Sequence, residues 1–163
     1  MMSMDEKKQI QLDRMRFTKN TLGSRLVYLA ILFDVLYFVS VYESDVGNWY
    51  YQALIGISIV YNLVFMLMTF LASEGVKNYK MGYSVLLLVA GALQVGRIFY
   101  LPLQAYKATV TISKVTYPVM EIPQLTWVII CLALSAACCL AAGVIGVHRS
   151  RTLAAYNASL NEQ

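Results

Sequence analysis

The chain has 163 residues, of which 59% are hydrophobic and 13% charged, and its formal net charge at pH 7 is +4. A soluble domain carries roughly 25% charged residues, so the composition argues against a soluble protein. The basic excess flanks apolar segments and forms no nucleic-acid motif, which favours lipid over nucleic acid as the partner.

The first predicted element is a polar cytoplasmic segment, residues 1–24, placed at the membrane interface. Ile10 and Phe17 are seven residues apart and share one helical face, while Lys7 and Arg14 share another. This modest amphipathic pattern is typical of a helix that binds anionic lipid. A frayed, solvated arm is the alternative interpretation. No apolar stretch precedes a small-residue cleavage site, so we expect no cleavable signal peptide.

Four apolar blocks follow, each near the length of about 20 residues that crosses a bilayer core. They are apolar on consecutive residues, which predicts helices and not the alternating strands of a membrane barrel. The predicted transmembrane domain covers 25–147, with spans at 25–42, 49–72, 81–103 and 127–147 and a polar cytoplasmic tail at 148–163. The predicted fold is an all-α membrane protein, a four-transmembrane-helix bundle.

Small residues and a proline are predicted to mark the ends of these spans. Gly23 and Ser24 would break the N-terminal segment and cap the first span. Gly75 would take the left-handed position after the second span. Pro102 lies at the predicted end of the third span.

The longest link, residues 104–126, contains a predicted β-element. The stretch 109–115 is rich in β-branched residues and alternates in character, which predicts an extended strand or a short hairpin. Two interpretations stay open: an outward docking element for a partner, or a lid packed on the outer face of the bundle.

The distribution of positive charge predicts that both chain ends are cytoplasmic. An even number of spans puts the ends on one side of the membrane. Of the twelve basic residues other than Arg97, ten then share that side, namely Lys7, Lys8, Arg14, Arg16, Lys19, Arg25, Lys77, Lys80, Arg149 and Arg151. By the positive-inside rule this side is the cytoplasm, which predicts an N-in/C-in orientation.

Two charged residues lie inside the spans, where each costs roughly 2.5–3.5 kcal/mol on insertion scales. Asp34 lies near the middle of the first span, and Arg97 lies in the outer half of the third, about 10 Å further along. Tyr37, Asn62 and Gln94 fall on compatible faces, at the helical spacing that lets side chains meet. We therefore predict a buried polar network of these five residues.

The network has two interpretations. It could line a path for an ion, proton or small solute. It could instead hold the helices together or bind a partner subunit, because polar side chains form hydrogen bonds between membrane helices. Arg97 could also be an interfacial anchor.

The last span carries small residues at helical spacing, which predicts close helix packing. The packing could be within the bundle or against another subunit. The residues are Cys131, Ser135, Cys139, Ala142 and Gly146.

No catalytic constellation, cofactor motif or metal-ligand cluster is visible, so we expect neither an enzyme nor a bound cofactor or metal. The leading expectation is an accessory or structural subunit of a larger membrane complex, for example a transporter. The alternatives are a small homo-oligomeric transporter or channel, and a membrane-surface regulator. The charge bias and the expected lack of a targeting peptide favour the bacterial cytoplasmic membrane, with an endomembrane as the alternative. The expected partners are the bilayer and other membrane subunits or further copies.

Overall fold

The computed structural model describes residues 4–42, 49–112 and 114–161. The elements are α1 (Met4–Phe17), α2 (Thr21–Tyr42), α3 (Trp49–Lys77), α4 (Met81–Lys107), β1 (Thr109–Ile112), β2 (Val115–Pro118) and α5 (Ile122–Asn161). Helices α2 to α5 are each long and apolar enough to cross a membrane. The prediction of a four-helix membrane bundle is confirmed.

The four long helices form a square. Helices α2 and α4 each pack against both α3 and α5, so α2 and α4 face each other across a diagonal. In the apolar stretch of α3 only 22% of residues are buried, against 44% in α5. The outer faces carry large apolar side chains, such as Ile57 at 67% and Val60 at 62% exposure. Lipid is the solvent that suits these faces.

Helix α2 begins four residues before the predicted start of the first span, so the predicted break at Gly23 and Ser24 is wrong. Asn20 caps the helix, since its Oδ1 accepts a 3.3 Å hydrogen bond from the backbone N–H of Gly23. A Cβ added at Gly23 would lie 2.7 Å from Cγ1 of Val76. This glycine therefore allows α2 to approach α3 closely.

The end of α3 also differs from the prediction, because Gly75 lies inside the helix. The left-handed position belongs to Tyr79, with a φ of 56°. The N–H of Tyr79 bonds to the carbonyl of Val76, and the N–H of Lys80 bonds to the carbonyl of Gly75, the pattern of a Schellman end. A Cβ at Gly75 would overlap the ring of Tyr83, so this glycine also serves packing.

Helix α4 continues through Pro102 to Lys107 and does not end at the proline. Leu101, Pro102 and Ala105 are buried, and Leu101 and Ala105 belong to a core cluster that includes Tyr37 and Leu132. Tertiary packing therefore maintains the helix beyond a residue that usually ends one.

The predicted polar tail is helical. Helix α5 has 40 residues and is about 60 Å long, twice the thickness of a bilayer core. Its last part, residues 148–161 (the extension of α5), runs beside α1 and the link after it: the Tyr156 hydroxyl donates to Asp13 Oδ1 in α1, and Arg149 Nη1 donates to Asn20 Oδ1 just before α2, both at 2.8 Å. These partners are seven residues apart in opposite order, so α1 is antiparallel to the extension of α5. The expected lipid contact of α1 stays a prediction.

The predicted hairpin is present. Strands β1 and β2 pair antiparallel, with Ile112 opposite Val115, and Lys114 in the turn has a φ of 71°. Thr109, Thr111 and all of β2 are exposed, so the side chains that the structure describes in the two strands do not pack on the bundle as a lid would. The chain after them does pack there, because Val119 and Met120 are buried beside Tyr37 and Val41.

Candidate functional site

A buried ion pair joins the two diagonal helices. Asp34 on α2 and Gln94 on α4 are both 0% exposed. Gln94 Nε2 donates a 2.8 Å hydrogen bond to Asp34 Oδ1, and Arg97 Nη1 lies 3.5 Å from the same oxygen. Gln94 and Arg97 are three residues apart, so one face of α4 presents both to Asp34. The predicted core of the network is thus brought together.

The Arg97 side chain turns into the bundle and is only 8% exposed. Its Nη2 donates a 2.8 Å hydrogen bond to Ser58 Oγ on α3. Its guanidinium carbon lies 4.3 Å from the ring centroid of Tyr37 and 4.8 Å from that of Tyr61. Arg97 on α4 therefore contacts both α2 and α3, and the interfacial-anchor interpretation does not describe it.

These contacts explain how two charges are tolerated in a lipid environment. Asp34 and Arg97 together carry no net charge. An aromatic face attracts a guanidinium most strongly where water is excluded, and Arg97 has one such ring on each of α2 and α3. Lone charges in hydrocarbon are costly, so the pairing and the two rings lower the cost of burial.

Asn62 is placed differently from its predicted role. It is 0% exposed on the inner face of α3, but neither its Oδ1 nor its Nδ2 has a hydrogen-bond partner. Asp34 Oδ2 and Gln94 Oε1 are also buried without one. Asn62 therefore shares the interior with the network but does not tie it together.

Two members of the site were missing from the predicted network, Ser58 and Tyr61. Ser58 lies four residues before Asn62 and so shares its face of α3. Tyr61 follows three residues after Ser58, on the neighbouring part of that face. The available signal was that an arginine at membrane depth needs aromatic or hydroxyl partners on the adjacent helices.

The small residues of α5 pack inside the bundle. All five, Cys131, Ser135, Cys139, Ala142 and Gly146, are buried. Ser135 Oγ donates a 2.9 Å hydrogen bond to the carbonyl of Ala30 on α2. On the α4 side, a Cβ at Gly146 would overlap the hydroxyl of Ser84. The stripe is thus used within the chain, and the alternative of a subunit contact does not apply to these residues.

A groove lies between α3 and α4, on the lipid side of the ion pair. Its volume is about 230 Å³. Ser58, Tyr61 and Arg97 supply its polar groups, and its other lining residues are Leu54, Ile57, Leu93, Gly96, Tyr100 and Leu101. The groove is therefore largely apolar, with three polar residues among the nine that line it.

Comparison with protein families, with curated proteins and with solved structures finds no match to this chain.

Proposed function

We propose that this chain is a non-enzymatic accessory subunit of a larger membrane complex, such as a transporter, in the bacterial cytoplasmic membrane. Its bundle would be a rigid scaffold, and its hairpin would present a docking surface to the partner. Both chain ends would lie in the cytoplasm.

The observation that carries this proposal is the exposed hairpin. A two-stranded sheet by itself is marginally stable, and its open edges can pair with another strand. Val115 and Tyr117 are about 50% and 52% exposed, although such side chains usually gain stability from burial. A partner strand or surface beside β2 would bury them.

The interior supports a scaffold role over a pathway. Asp34 and Arg97 bind each other, and Gln94 and Ser58 add hydrogen bonds to them. These contacts join α2, α3 and α4 across the middle of the bundle. Charges engaged in this way stabilise helix association and are less free to handle a solute.

The orientation is supported by which end of the bundle holds the basic residues. The backbone N–H of Asn20 bonds to the carbonyl of Lys77 at 2.9 Å, and Asn20 also contacts Arg149. One end of the bundle therefore holds the start of α2, the end of α3 and the extension of α5. Most basic residues lie there, which favours the cytoplasm.

The experiment is native mass measurement after gentle extraction from the source membrane. The backbones at Ala108 and Val119 are joined by a 3.0 Å hydrogen bond, so replacing residues 109–118 by a short glycine linker should leave the bundle intact. We expect the wild type to be detected in complex with other proteins and the linker variant to be detected without them. The control is Lys114→Gly, which suits the left-handed turn and should keep the partners.

A wild type that runs as a single copy would contradict the proposal. Partners retained by the linker variant would contradict docking through the hairpin.

A second candidate is a homo-oligomeric transporter or channel. It is favoured by Asn62 and by Gln94 Oε1, buried polar groups without hydrogen-bond partners, which are costly unless hydrated. A defined homo-oligomer in the same measurement would support it. So would loss of flux in Asp34→Asn with assembly intact.

A further inference from the structure

The two outer edges of the hairpin differ in the backbone groups that they offer to another strand. Opposite residues in an antiparallel pair alternate between two kinds: one exchanges two backbone hydrogen bonds, and the other points its N–H and C=O groups away from the pair. Thr109 lies opposite Pro118, and a proline has no N–H to exchange. Thr109 and Pro118 are therefore a pair whose backbone groups point outward.

The register then assigns the remaining positions of the two strands. By alternation, Thr111 and Thr116 form the second outward pair. Their Oγ1 atoms lie 3.3 Å apart, which agrees with the closer approach of side chains in such pairs. Just beyond the strands, the N–H of Val119 bonds to the carbonyl of Ala108, as the same alternation requires.

The β1 edge offers more hydrogen-bonding groups than the β2 edge. On β1, Thr109 and Thr111 each point both an N–H and a C=O outward, whereas on β2 only Thr116 does so. All three threonines are exposed. Among the residues that the structure describes, their N–H groups bond to no backbone carbonyl outside the hairpin. A third strand would therefore form more hydrogen bonds beside β1 than beside β2.

The amino-acid sequence also protects one edge and leaves the other open. Proline is typical of strand edges that stay in solvent, where it hinders pairing with a further strand, and Pro118 has this position in β2. Strand β1 has neither a proline nor a charged residue, and its four residues, Thr-Val-Thr-Ile, are all β-branched. Such residues are enriched in strands. The open edge of the hairpin is therefore that of β1.

We propose that β1 binds an extended strand of the partner subunit, which adds a third strand to the sheet through backbone hydrogen bonds. This inference rests on the docking role proposed above, and it names the edge that is used and the conformation of the partner. Val115 and Tyr117 are two residues apart and lie on one face of the sheet. The surface of the same partner would cover that face.

The test compares Thr111→Pro with Thr116→Pro by native mass measurement of the full chain extracted with its partners. Both variants remove one outward N–H from the same cross-strand pair and lose the same contact between side chains. Neither removes a hydrogen bond between β1 and β2. We expect Thr116→Pro to keep the partner, and Thr111→Pro to lower the complexed fraction by about tenfold, because the lost donor and the proline ring both oppose pairing.

Amide hydrogen exchange of the wild type tests the same edge without a substitution. The N–H groups of Thr109 and Thr111 should exchange more slowly in the complex than in the chain purified alone. The N–H of Thr116 should exchange at the same rate in both, since the β2 edge stays in solvent. If both proline variants lose the partner, this measurement decides between the edges.

Retention of the partner by Thr111→Pro would overturn the assignment to β1, and so would unchanged exchange at Thr109 and Thr111 in the complex. If the linker variant of residues 109–118 has lost the partner, either result overturns only the edge. If the linker variant keeps the partner, docking through the hairpin fails and this inference fails with it. A complex built only from copies of this chain would overturn the choice of a different subunit as the partner.

Discussion

Arg97 illustrates how one long side chain can set the interior of a membrane bundle. Helical rise places it about 10 Å beyond Asp34 when each is counted from its predicted span, yet the two reach ion-pair distance. An arginine can also extend outward to the head groups. Here Ser58 and the rings of Tyr37 and Tyr61 hold the guanidinium inside.

The ion pair predicts a specific pattern of stabilities. Asp34→Asn leaves the buried guanidinium without its counter-charge and should destabilise the bundle by about 3 kcal/mol. The double variant with Arg97→Gln should be more stable than Asp34→Asn alone, because no lone charge remains. Unfolding by denaturant in mild detergent measures both.

Asn62→Leu is the control for that series, since it removes a buried polar group that has no hydrogen-bond partner. Its stability should be unchanged or raised. If the double variant lost as much stability as Asp34→Asn alone and Arg97→Gln alone added together, that result would contradict coupling between Asp34 and Arg97.

At this scale the sequence predicted the charged core but not its details. Asp34, Gln94 and Arg97 could be predicted because charge in an apolar span needs a partner. The lack of hydrogen-bond partners at Asn62 could not be predicted, because it depends on the distance between α3 and its neighbouring helices. Tyr61 could not be distinguished from the other tyrosines, since only the rotation of α3 selects it.

Among the helices, glycine is the residue whose role was hardest to predict. Gly23 and Gly75 resemble helix ends in sequence, but both lie where a neighbouring side chain leaves no room for a Cβ. Asn20 and Tyr79 mark the actual ends. A glycine in an apolar sequence can therefore mark either a helix end or a close contact between helices. Only the position of the neighbouring side chain distinguishes the two.

This distinction yields a prediction for the α4–α5 contact. A Cβ at Gly146 would overlap the Ser84 hydroxyl and lie 2.9 Å from its Cβ, so Gly146→Ala should destabilise the bundle by about 1–3 kcal/mol. The control Gly82→Ala adds the same methyl group where nothing is in contact. It should be neutral or stabilising by up to about 1 kcal/mol.

Thermal unfolding of the two variants in one detergent makes the comparison. Equal stabilities would show that α4 and α5 do not approach each other closely at Gly146.

For the molecule as a whole, long apolar runs predicted the architecture, because in lipid a helix satisfies the backbone hydrogen bonds within a single segment. The hairpin was also predictable, from its β-branched residues. The helical extension of α5 was not predicted, since residues 148–161 are largely polar and follow the apolar run; in the structure they lie beside α1, where the Tyr156 hydroxyl bonds to Asp13. Pairing between the first and last helices is a long-range contact that local patterns do not encode.

Single-cysteine labelling on intact cells tests the central claim, a bundle of four membrane spans, most directly. Reporters replace Lys8 in α1, Ala158 in α5 and Tyr117 in the hairpin, all exposed, with the three native cysteines changed to alanine. We predict that a membrane-impermeant maleimide labels position 117 in intact cells, and positions 8 and 158 only after permeabilisation. Labelling of positions 8 and 158 from opposite sides of the membrane would contradict the four-span bundle.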